Sequence, residues 1–179
     1  MKNKTVKSIF SAAGYLWGGA LLTLLASLAV TMVYRMAAGG RDTEEYLVTG
    51  LLTLAVQLPW AFYAFSRYGY RNADMTGKEW LTALFGGGGI HFLLCLPFHF
   101  SMYTAGVPTL YLSEYLYRVN TSELPPQMSF TEIPLGWLIP VFLAAEGVTL
   151  LCGYSGFSCG QRKRKKEREA LKTNQEKSA

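Results

Sequence analysis

Charged residues leave four long stretches of this 179-residue chain untouched. None falls between Lys7 and Arg35, and the run 9–33 exceeds the ~20 apolar residues that carry a helix across a bilayer. The run 46–66 is close to the length of one crossing, and a third runs from Trp80 to about Tyr103. Before it stands Thr76-Gly77-Lys78-Glu79, a capping box whose side chains satisfy the first free amides of a helix. The fourth run, 133–155, follows a second capping box, Ser129 to Glu132, tolerates Pro134 in its first turn, and is broken only by Glu146.

Lipid offers the backbone no hydrogen-bond partners, so each run is predicted to be helical. The predicted fold is an all-α integral membrane bundle of four transmembrane helices, about 9–33, 46–66, 80–103 and 133–155, within a transmembrane domain 1–161. A basic cytoplasmic tail, 162–179, follows. Pro59, Pro97 and Pro140 fall inside spans, where membrane helices bend rather than break. A cleaved signal peptide is the rival reading of the first span, but its apolar core runs only about 7–15 residues.

Orientation follows from Lys and Arg. Lys2, Lys4, Lys7, Arg67, Arg71, Lys78 and eight residues of the tail lie on one side, against Arg35, Arg41 and Arg118 on the other. The richer side is expected to be cytoplasmic, placing both termini inside. The long outer connection 104–132 is not simply polar. Leu112, Tyr115, Leu116 and Val119 recur at helical spacing, which predicts a short amphipathic helix on the outer membrane surface, ended by Pro125-Pro126. The alternative is a partly ordered loop whose tyrosines sit in the aromatic belt.

Composition agrees. Half the residues are hydrophobic and 16% charged, against roughly a quarter charged in a soluble domain, so the surplus apolar surface must face lipid. The net charge of +5 would suit nucleic acid, but the cations flank apolar spans, where they serve orientation and anionic headgroups instead. Nucleic acid is therefore not an expected partner. Cys95, Cys152 and Cys159 lie in or beside spans and imply no disulfide framework.

Glu146 carries the most chemistry, because a carboxylate inside a bilayer costs several kcal/mol unless paired, hydrated or protonated. Counting 1.5 Å per residue puts Glu146 about 18 Å, His91 about 16 Å and Gln57 about 15 Å into a ~30 Å core, all near one depth. These three are expected to form a polar node at the midplane. Either the node is structural glue between helices, or Glu146 is a proton or cation site partnered by His91.

His91, Cys95 and His99 form a stripe at four-residue spacing, a weak candidate for metal ligands that Pro97 distorts. Packing and hydration account for the same residues, and no cofactor is implied. Gly86 to Gly89 cost about 1 kcal/mol each of helix propensity in water, which asks for close helix packing or a locally unwound segment. Gly14 and Gly18 fit the small-xxx-small association pattern. Phosphate-loop, HExxH, GxSxG and CxxC patterns are absent.

Arg162, Lys163, Arg164, Lys165 and Lys166 follow the last span directly and are expected to bind anionic lipid headgroups, at about 1 kcal/mol each. The expected function is a non-enzymatic accessory or interaction protein of the membrane, associating with other membrane proteins or with itself. A homo-oligomeric transporter or ion-conducting subunit using Glu146 is the second reading, and a membrane-embedded enzyme the third. Short loops suggest a bacterial inner membrane; Asn120-Thr121-Ser122 is a glycosylation acceptor if the source is eukaryotic.

Overall fold

In a computed structural model the described residues, 2–38, 43–95, 107–121 and 135–178, form five α-helices and no strands. They are α1 (Lys2–Ala38), α2 (Thr43–Arg71), α3 (Gly77–Cys95), α4 (Val107–Thr121) and α5 (Leu135–Ser178). The all-helical class is as expected.

Three helices rather than four are long and apolar enough to cross a membrane: α1, α2 and α5. They mark the chain as a transmembrane protein. The helix expected over 80–103 is described only to Cys95, and 96–103 lie outside the described residues. The described part of this helix is 19 residues long, with Glu79 in its first turn. Pro59 and Pro140 sit within α2 and α5, and both helices continue past them. Pro97 and Pro125-Pro126 lie outside the described residues.

Exposed apolar side chains run down the outside of α1, among them Leu21, Leu25, Leu28 and Met32. This is what a helix presents to hydrocarbon rather than to water. Inside, α1 and α2 run antiparallel. α5 lies along α2, and α3 is seated against α1 and α5.

Glycine sets how near the helices come. A Cβ on Gly156 would strike the carbonyl of Phe62, one on Gly160 the carbonyl of Ser66, and one on Gly69 the carbonyl of Phe157. The α2–α5 contact is thus backbone against backbone. The run Gly86 to Gly88 does the same elsewhere: Gly86 meets Ile9, Gly87 meets Ala12 and the Ala13 amide, and Gly88 meets Leu150. Packing, rather than unwinding, is the use of that run, since α3 stays helical throughout. In the Gly14–Gly18 pair, Gly18 and its neighbour Gly19 make room for the Trp60 ring, while Gly14 faces open space.

The core proper lies toward one end of the bundle. Trp80 and Phe157 stack with ring centroids 4.0 Å apart and planes at 9°. Phe65 meets Trp80 edge-on at 5.3 Å, Tyr15 meets Phe65 at 5.6 Å, and Ala12, Leu16, Ala61 and Leu84 fill between. Such aromatic pairs add about 0.5–1.5 kcal/mol beyond the area they bury.

The helix predicted beyond the third span exists as α4, and its polar face is packed on the bundle rather than turned to water. Ser113 and Glu114 are fully buried against the bundle, while Leu116 and Val119 are exposed. The buried polar face has partners to meet, which the sequence pattern of α4 alone does not show. Residues 162–178 continue α5, which at 1.5 Å per residue makes a rod about 66 Å long.

Candidate functional site

Of the expected node, the structure brings His91 and Glu146 together, with Nδ1 3.2 Å from Oε1 and both side chains closed off from solvent. The distance is that of an ion pair, but neither imidazole nitrogen nor Glu146 Oε1 has an aligned hydrogen-bond partner. Gly88 lies beside the carboxylate, 3.6 Å from Oε1 to where a Cβ would stand, so the absence of a side chain there lets Glu146 approach α3. The imidazole is held by the Trp17 ring, edge-on at 6.1 Å, and by Phe142, nearly parallel at 6.0 Å.

Gln57 does not touch the pair. Its Nε2 donates to Thr149 Oγ1 at 3.2 Å, and Thr149 donates in turn to the Ala145 carbonyl at 2.8 Å. Thr149 lies three residues beyond Glu146 in α5, so Gln57 closes the same layer from α2. Thr149 escaped the sequence reading because a threonine inside a span normally bonds its own helix, as this one also does.

A second polar cluster was not anticipated. Near the end of α1 and the start of α2, Arg35 Nε donates to Glu45 Oε1 at 2.9 Å; within α4, Arg118 Nε donates to Glu114 Oε1 at 2.6 Å. Glu45 and Glu114 are buried and belong to different helices, with Tyr46 between them, the Arg118 guanidinium standing 4.7 Å over its ring. Tyr111 contacts Tyr46 at 6.0 Å and reaches Thr31 of α1 at 3.3 Å. The legible signal was the four-residue spacing of Glu114 and Arg118.

The opposite end is pinned by α5. Gln161 Nε2 donates to the carbonyls of Met75 at 2.8 Å and Ala73 at 3.3 Å, closing the α2–α3 turn. Tyr70 donates to Glu167 at 2.5 Å, and Arg168 to Asp74 at 2.7 Å. The Arg168 hydrogen bond, then its charge, holds the Asp74 carboxyl below the usual carboxylate range. Thr76 and Glu79 form the expected capping box, with the Thr76 amide donating to Glu79 at 2.9 Å.

Of the expected headgroup contacts, Arg162, Lys163, Lys165 and Lys166 are exposed, and Arg164 leans over Tyr70 at 5.2 Å. Among the described residues no three His, Cys, Asp or Glu side chains gather as metal ligands, and His99 lies outside them. Compared with protein-family models, curated proteins and solved structures, the chain matches none.

Proposed function

We propose that this chain is a non-enzymatic accessory protein of a cell membrane, of bacterial inner-membrane type, that engages other membrane components through a rigid helical arm. It crosses four times with both termini in the cytoplasm, the third crossing being the run 80–103. The Lys and Arg distribution supports that orientation. The observation that carries the reading is the continuity of α5, which passes from apolar span to charged arm without a break. Beyond Gln161 the arm extends about 26 Å at 1.5 Å per residue. Its root is fixed by Tyr70, Asp74 and the α2–α3 turn, so the arm is presented rather than loosely tethered. The cations from Arg162 to Lys166 suit anionic headgroups at the root, and Leu171, exposed beyond them, suits a protein partner.

A photo-crosslinker at Leu171, with mass measurement in mild detergent, tests this. One discrete foreign partner, lost when Arg168 and Asp74 are both neutralised, is expected; a closed homo-oligomer with no arm crosslink overturns it. Labels near Lys4, Gly40, Asn72 and Pro125 should read in, out, in, out.

The contact of His91 with Glu146 favours a second reading, a homo-oligomeric transporter or ion-conducting subunit in which Glu146 takes up and releases protons. A proton flux in vesicles abolished by E146Q supports it, and unchanged flux rejects it.

A further inference from the structure

Most buried polar side chains in this bundle lie in one half of its length; Ser8, which accepts from the Tyr68 hydroxyl at 2.9 Å, lies in the other. On α2, Glu45, Thr49, Thr53 and Gln57 recur every fourth residue, and all four are buried. Four-residue spacing places them on one stripe of the helix, and twelve residues at 1.5 Å span about 18 Å. Buried Thr23 and Ser27 of α1, Ser113 and Glu114 of α4, and Thr149 of α5 belong to the same half. The stripe begins at the Arg35–Glu45 pair and ends at Gln57, one hydrogen bond from Thr149 and one helical turn from the Glu146–His91 pair.

Beyond that pair the interior changes character. Tyr15, Phe65, Trp80 and Phe157 close it with stacked and edge-on rings, helped by Leu16 and Leu84. On the far side of the rings lies a cavity of about 730 Å³, bordered by Lys7, Ser8, Tyr68, Arg71 and Glu79. The His91–Glu146 pair therefore has polar neighbours leading one way and an aromatic wall the other.

Buried polar atoms lacking an aligned partner are rare, and each calls for one. Here they occur at both ends of the stripe, Thr49 Oγ1, Ser113 Oγ and Glu114 Oε2 at the start and both His91 nitrogens and Glu146 Oε1 at the end, and once in the aromatic wall, at Trp80 Nε1. Thr53, Thr23 and Ser27 donate to carbonyls of their own helices at 2.7–2.8 Å, which leaves each hydroxyl oxygen able to accept another donor.

From this arrangement we infer that water and protons reach the His91–Glu146 pair from the Arg35–Glu45 end of the bundle, along the Glu45-Thr49-Thr53-Gln57 stripe, while the Trp80–Phe157 stack seals the pair from the end that bears the arm. The step is a proton passing from water to the Glu146 carboxylate, or back. No Asp, Glu, Lys, Arg or His other than His91 and Glu146 lies in 8–34 of α1, 46–66 of α2, 80–95 of α3 or 135–161 of α5. Facing the pair are the uncharged Trp17, Phe142 and Leu150, and the titratable groups at the far end are Glu45 with Arg35, Glu114 with Arg118, and Tyr46 and Tyr111. The inference deepens the second reading above, which treats Glu146 as protonatable, but access and flux fail separately.

The test is infrared spectroscopy of the full chain in vesicles whose inner and outer pH are set independently. The side bearing the arm is fixed by trypsin cleavage after its lysines. The band of a protonated carboxyl, lost in E146Q, should follow the pH opposite the arm and ignore the pH on the arm side. Where E146Q does not fold, E146D shifts the band and assigns it. T49V with T53V should slow its response, whereas T53S should not. A band that follows the arm-side pH, follows both, or never responds overturns the inference. A band that follows the far side with no proton flux upholds access and rejects transport.

Discussion

Nδ1 of His91 stands 3.2 Å from Oε1 of Glu146 across the α3–α5 contact, close enough to pair but turned away from an aligned hydrogen bond. Replacing either partner by leucine should lower the melting temperature in detergent, and the double change should cost less than the two single losses together. Coupled neighbours in one network interact by about 0.5–3 kcal/mol, against near-additivity for residues that do not meet. Strictly additive losses would show that the contact contributes nothing.

Glycine-to-alanine changes should divide by location. G156A and G160A push a methyl into a carbonyl of α2, which cannot yield without moving the helix, and overpacking of this kind costs about 1–3 kcal/mol. G89A faces open space, so it should be neutral or gain up to about 1 kcal/mol of helix propensity. Equal effects at the two locations would contradict the packing described for α2 and α5.

Glu114 is fully buried, with Arg118 as its counter-charge. R118M should therefore destabilise strongly, by about 3–5 kcal/mol, because removing one partner strands the other charge. E114Q with R118M together should recover most of that loss. Thermal unfolding of the three variants decides it; a mild R118M would mean that the carboxylate finds another partner.

At the arm root, Asp74 has its carboxyl held below the usual range by Arg168, so the folded chain binds this proton less readily than the unfolded one. The stabilising contribution is complete above the ordinary carboxylate value, near 4, and fades as pH falls through the lower folded value. Unfolding temperatures of the wild type and D74N should differ at neutral pH and converge in acid. High salt should also narrow the gap, since the pair is exposed.

What the sequence disclosed depended on whether a residue's partner could be inferred from its own surroundings. Charge-free runs located α1, α2 and α5, because lipid dictates their composition directly. Counting residues from span ends brought Glu146 and His91 to one depth, and they meet because helix rise is nearly constant. Depth carries no azimuth, which is why Gln57, at that depth, turned out to bond Thr149 and not the pair. The burial of the polar face of α4 is illegible for a related reason: Ser113 and Glu114 look solvent-bound until Arg118 and the buried stripe of α2 are seen beside them. The three- and four-residue spacing of Gly153, Gly156 and Gly160 stands in the sequence, but a glycine shows its purpose only against the surface it touches.

The unbroken run of α5 joins Glu146 and Arg168 on a single stiff rod, 22 residues and so about 33 Å apart. Between them, Gly153, Gly156 and Gly160 rest on the backbone and aromatic rings of α2. Mechanically that is a lever on a fulcrum: a sideways load on the arm swings the opposite half of the rod the other way, and the first buried acidic side chain to feel it is Glu146, facing His91.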